Sequence, residues 1–218
     1  MASDPPPAGN PPIFNAPPAT IGLCASLVIG YLITNLLDLG GGWGSFFVFD
    51  ATAFRGQFGA AGTGLSAAVM ISLIGHGFMH AGLGHLAANT LFLLAFATPV
   101  ERTLGAGRLI AMFIASTVAG ALALAWLSGG EHALLVGASG GVYGVSGAAA
   151  LILRARGNEA ARRTGTGLLV FLIVISVVLA LTDGASALFQ FKIAWQAHLG
   201  GLAVGLAIAG WALARGRR

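Results

Sequence analysis

The sequence predicts an all-α membrane protein built as a bundle of six membrane-spanning helices. Three observations point there. Only 8% of the 218 residues are charged, the mean hydropathy is +0.86, and apolar runs of spanning length recur along the chain. A water-soluble domain carries roughly 25% charged residues, so this chain lacks the polar surface that a soluble fold needs. A span takes about 20 mostly apolar residues to cross roughly 30 Å of hydrocarbon.

Residues 1–18 hold seven of the eight prolines and no Lys or Arg, the composition of a disordered, extended tail. The tail also lacks the positive segment of a secretory signal, so the apolar run after it reads as a retained span. Apolar length predicts spans at roughly 19–37, 84–101, 108–128, 134–154, 165–182 and 193–213. Residues 19–213 then form one membrane domain, followed by a short basic cytoplasmic tail at 214–218. Between the first two spans lies a long Gly- and Phe-rich stretch, in which "LSAAVMISLIG" is apolar enough for a partly embedded helix but too short to cross.

The net charge of +4 does not indicate a nucleic-acid partner, because the arginines lie between spans. Nine of the eleven basic residues fall on one side: Arg102, Arg108, Arg154, Arg156, Arg162, Arg163, Arg215, Arg217 and Arg218. Arg55 and Lys192 fall on the other. The positive-inside rule places both termini in the cytoplasm, so spans 2, 4 and 6 run from outside to inside. A single cysteine, Cys24, excludes an internal disulfide and any multi-cysteine metal site.

Few polar groups remain inside the spans, and they share a level. His85 and Asn89 stand four apart on span 2, with His80 just ahead of it. Ser139 and Tyr143 stand four apart near the start of span 4, and His198 lies near the start of span 6. On the predicted boundaries Ser139 and His198 are each about five residues, or roughly 8 Å, into their helices. Small residues form two stripes, Gly140, Gly144 and Ala148 on span 4 and Ala197, Gly201 and Gly205 on span 6. Such stripes let helix backbones approach closely in lipid. If they face each other, the Ser139 hydroxyl and the His198 imidazole flank one contact.

Most membrane serines bond back to their own helix, the reading expected for Ser116, Ser146 and Ser176. An intramembrane histidine is costly and points to function. His76 and His80 have the spacing of a metal pair, but no carboxylate accompanies them and no metal is expected. His132, beside Glu131, reads as a solvated loop residue.

A serine hydroxyl becomes a nucleophile when a base takes its proton, and His198 is the suitable base at its level. With no carboxylate near His198 in sequence, a dyad is expected rather than a triad. An oxyanion formed from a peptide carbonyl needs donors worth about 3 kcal/mol each. The candidates are the Asn89 amide, the His85 imidazole and the Ser139 backbone N–H.

"GASGGVYG" (Gly137 to Gly144), "HAGLGHLAAN" (His80 to Asn89) and "AHLGGLAVG" (Ala197 to Gly205) resemble the three signatures of rhomboid intramembrane serine proteases. "ERTLGAGR", from Glu101, is similar to that family's junction after span 2. The resemblance implies a six-helix rhomboid-like bundle that cuts transmembrane segments of other membrane proteins near the outer face, with no cofactor. It implies Ser139 as nucleophile, His198 as general base, and Asn89 with His85 at the oxyanion. It further implies Tyr143 stacked beside His198, His80 bracing the first outer loop, and Gly137 and Gly140 supporting the nucleophile. One departure stands out: many members carry a Trp-Arg pair in that loop, whereas here Trp43 is followed by Gly44. The six-span core fits a prokaryotic cytoplasmic membrane. Two other readings remain open: a catalytically silent rhomboid-like protein that binds membrane helices, and a small transporter relaying protons through His85 and His198.

Overall fold

The computed structural model describes residues 15–36, 43–59, 64–155, 158–182 and 193–215. Among them the helices are α1 (Pro18–Leu36), α2 (Ala51–Gly59), α3 (Ala67–Gly75), α4 (Leu83–Leu104), α5 (Ala106–Leu127), α6 (Ser139–Ala155), α7 (Glu159–Leu181) and α8 (Trp195–Arg215). Five of them, α1, α4, α5, α7 and α8, are long and apolar enough to cross a membrane. Exposed Ile29, Ile33, Phe171, Val174 and Val177 give the bundle an apolar outer surface, as hydrocarbon solvent requires.

α6 is the centre of the bundle. Every residue from Gly140 to Ala150 except Tyr143 is buried, and the helix packs against α4, α5, α7 and α8. A helix apolar on all sides belongs inside, and small residues let its neighbours close around it. It has only 17 residues, fewer than the other long helices. The span expected from residue 134 therefore starts late. Leu134 and Leu135 instead form β2, antiparallel to β1 (Phe49–Asp50), with Phe49 opposite Leu135 and Asp50 opposite Leu134. This ribbon departs from the all-α expectation. Gly137 then takes φ +111°, a backbone state that suits glycine and forbids helix continuity, so the helix opens at Ser139.

The fifth expected span also moves, but in the other direction. Asn158 Oδ1 accepts the Ala161 N–H at 2.8 Å, and this cap starts α7 at Glu159, well ahead of residue 165. The polar "EAARRT" segment thus continues a helix that apolar length alone would truncate. Of the predicted tail, residues 1–14 lie outside the described residues, and Pro18 already belongs to α1 at the first helical position. At the other end Ala214 and Arg215 close α8, and 216–218 lie outside the described residues.

Two buried clusters hold the molecule together. Leu27, Leu93, Val100, Met112, Phe113 and Val145 join α1, α4, α5 and α6. Phe49, Phe54, Val69, Leu73 and Leu124 seat the connection between α1 and α4, the first outer loop of the sequence expectation, on α5. That loop includes α3, the short helix expected from "LSAAVMISLIG".

A carboxylate fastens α1 to α4. Glu101, 9% exposed, accepts Ala19 N–H at 3.0 Å, Thr20 N–H at 2.6 Å and the Thr20 hydroxyl at 2.8 Å. These amides belong to the first turn of α1, where N–H groups have no partner in their own helix and the dipole favours a negative charge. Glu101→Ala leaves two buried donors and one half-buried donor unmet and is expected to destabilise the protein by about 3 kcal/mol. Thermal unfolding in detergent micelles measures it, and Glu101→Gln should recover part of the loss because its amide oxygen still accepts. An unchanged midpoint for the alanine variant would count against the clamp.

Candidate active site

The polar layer expected from the sequence lies at one end of the bundle, with each group in the first turn of its helix or one turn deeper. His85 is the third residue of α4, Ser139 the first of α6 and His198 the fourth of α8. Ser139 is therefore shallower than the five-residue depth expected for it. Asn89 sits one turn below His85.

The two glycine stripes face each other. A methyl group on Gly201 would overlap the Gly140 carbonyl oxygen, and one on Gly205 the Gly144 carbonyl oxygen. A methyl on Gly140 would lie 3.3 Å from the Ala197 carbonyl oxygen. Backbone thus touches backbone at the step between Ser139 and Gly140 on one helix and Ala197 and His198 on the other. Ser139 remains half-exposed, whereas His198 is buried.

Tyr143, one turn below Ser139 on α6, stacks on the His198 ring with centroids 4.0 Å apart and planes 11° apart. The stack fixes the imidazole plane, and among the described residues neither a carboxylate nor any other group hydrogen-bonds the His198 Nδ1.

α4 contributes His85 and Asn89. Asn89 Nδ2 donates to the His85 carbonyl oxygen at 3.0 Å, which orients the amide. An amide has a second N–H to offer. The His85 ring lies so close to Gly137 that a methyl there would come within 2.7 Å of Nε2. Gly137 is therefore glycine for two reasons, its φ and the imidazole against it. Its N–H donates to the His76 carbonyl at 2.8 Å, which ties the turn before Ser139 to the first outer loop.

His76 and His80 belong to that loop. His76 Nδ1 meets the Ser72 carbonyl at 2.9 Å, and the ring packs on Phe49. His80 packs edge-to-face on His85 with centroids 5.1 Å apart. Burial pushes both His76 and His80 down to about 4, with the neighbouring His85 adding to the effect at His80. Both are consequently neutral at physiological pH, and they serve as packed rings.

Other expectations fare unevenly. Ser176 bonds back to Leu172 at 2.8 Å as expected, but the buried Ser116 and Ser146 hydroxyls have no partner among the described residues. Ser116 sits where Gly144 leaves room, wedged at the α5–α6 contact. His132 is exposed as expected, and it also stands 3.5 Å from Asp50 across the ribbon.

Sequence reasoning missed Arg55. It donates to the Ala125 carbonyl and the Ser128 hydroxyl, each at 2.7 Å, and to the Glu131 carbonyl at 2.9 Å. Carbonyls in the last turn of α5 lack helical partners, and a cation there also complements the dipole. Arg55 thereby fastens α2 to α5 in a loop that lacks a Trp-Arg pair. The available signal was its isolation as a cation on the side opposite most of the others.

Comparison with known proteins identifies the family. The family model of the rhomboid domain matches residues 67–215. Rhomboid protease GlpG of Serratia proteamaculans (strain 568) is 34% identical over 138 residues, 63% of this chain and 46% of that protein. Rhomboid protease GluP of Bacillus subtilis (strain 168) is 34% identical over 96 residues, 44% of this chain and 18% of that protein. Human rhomboid-related protein 3 is 30% identical over 142 residues, 60% of this chain and 33% of that protein. The chain spans less than half the length of each of these relatives. The family match covers more than half of this chain and contains every residue of the polar layer, and its apolar helices make it an integral membrane protein: the chain belongs to the rhomboid family.

Proposed function

We propose that this protein is an intramembrane serine endopeptidase that cuts transmembrane segments of other membrane proteins near the outer face. Ser139 is the nucleophile. His198 takes its proton as the hydroxyl attacks the scissile carbonyl, then returns a proton to the leaving amine. The second N–H of Asn89, the His85 ring and the Ser139 backbone N–H receive the negative charge that forms on the carbonyl oxygen. Tyr143 holds the imidazole plane by stacking, and His80 supports His85 from the loop. No cofactor enters this chemistry.

The observation that carries the reading is the Tyr143–His198 stack beside the backbone contact of α6 with α8. It sets an oriented imidazole next to the start of the helix that bears Ser139. Water is the second substrate, and a site in the first turns of three helices is within its reach. In this reading α6 crosses as the fourth of six spans despite its length, both termini are cytoplasmic, and the membrane is a prokaryotic cytoplasmic one.

Labelling by a serine-directed fluorophosphonate tests the assignment. The wild-type protein should be labelled and Ser139→Ala should not. Absence of label on folded wild type would favour a rhomboid-like protein that binds membrane helices without cutting them, a reading kept open by a relative named only as rhomboid-related. Asn89→Ala should lower kcat by about 100-fold while KM changes little, since the charge it meets exists only in the transition state. A rise in KM at constant kcat would remove Asn89 from the oxyanion role.

A further inference from the structure

We infer that the end of the bundle opposite the polar layer carries a binding site for an anionic phospholipid, in the cleft between α6 and α8. The cleft has a volume of about 300 Å³ and is lined by Leu151, Arg154, Ala155, Gly210, Leu213 and Ala214.

The last turns of α6 and α8 lie side by side here, and the small residues Ala155, Gly210 and Ala214 leave the space between them open. Gly210 deepens it, because a methyl group there would meet nothing within 4 Å.

The chemistry of the lining is divided. Leu151, Leu213 and the alanines offer an apolar wall to upper acyl chain. Arg154 is exposed at the mouth and donates to the Thr166 hydroxyl, which braces it toward α7. Arg215 follows the lining residue Ala214, and its guanidinium lies 4.0 Å above the Trp211 ring. Trp is the side chain that settles at headgroup level. Among the described residues neither arginine forms a salt bridge, while the nearest acidic residue in sequence, Glu159, is engaged by Arg163 at 2.8 Å. An exposed arginine without a salt bridge at the mouth of an apolar notch, with a second cation one residue beyond the lining, is complementary to a phosphodiester headgroup and the chain below it.

A rival account is that Arg154 and Arg215 only offset the helix dipoles at the ends of α6 and α8. Filling the cleft without changing charge separates the two. Wild-type protein in nanodiscs of equal phosphatidylglycerol and phosphatidylcholine is released into native mass spectrometry, and retained lipid is counted. Wild type should retain phosphatidylglycerol over phosphatidylcholine by about fivefold, the preference that one arginine near the surface supplies. Arg154→Gln and Gly210→Leu should each bring the ratio to parity, and Ala214→Leu, at an exposed lining position, repeats the filling independently. Parity in wild type, or an undiminished ratio in both folded filling variants, would overturn the site. Displacement of the lipid by inorganic phosphate would overturn it too, by showing that a free anion suffices. None of these readouts depends on proteolysis.

Discussion

Ser139→Ala and His198→Ala are each expected to abolish cleavage of a model transmembrane substrate in liposomes, with a fall of about four orders of magnitude or more. The size follows from how a nucleophile and its base act together. Without the hydroxyl there is no acyl-enzyme, and without the imidazole the hydroxyl keeps its proton. For the same reason the double variant should be no worse than either single one, because removing the second member of a unit removes nothing further. Each variant keeps the glycine seam and should unfold at the wild-type temperature, which separates lost chemistry from lost structure. Substrate turnover at the wild-type rate by either folded variant would refute the dyad. Additive losses in the double variant would show that the two groups act in separate steps.

The second large effect is on stability. Gly205→Ala and Gly201→Ala each put a methyl group onto a backbone carbonyl of α6, at Gly144 and Gly140 respectively. A helix carbonyl has no rotamer to escape into, so the helices must part. Overpacking of this kind costs about 3 kcal/mol and more where nothing yields. Gly210→Ala, on the same helix, is the control: its methyl enters open space, and its better helix propensity contributes up to about 1 kcal/mol. Thermal midpoints in one detergent should therefore fall for Gly201→Ala and Gly205→Ala and hold or rise for Gly210→Ala. Three equal midpoints would mean that the seam is looser than its geometry implies.

Much of this was legible in the sequence because lipid makes sequence signals blunt. Charges are excluded from spans, so His85, Ser139 and His198 stood out against an apolar background, and small residues at four-residue spacing marked the seam. What escaped was set by contacts distant in sequence. Nothing local to Leu134–Leu135 says that Phe49–Asp50 will pair with it, so hydropathy alone reads helix from 134, whereas the helix opens only after Gly137. The start of α7 was hidden for a different reason: a helix that leaves the membrane keeps its hydrogen bonds while losing its hydropathy. Arg55 was unreadable as an anchor, since the carbonyls it meets lie about seventy residues away on α5.

The seam of glycines has a consequence for how the molecule spends interaction energy. Two rods whose main chains touch have no side chains left between them to relax, so they recoil and drift as a single stiff piece. The groups on either margin of that piece hold their spacing without help from a ligand. Under the proposed function, contact with a client helix is then free to unwind it, because none is consumed in assembling the machinery.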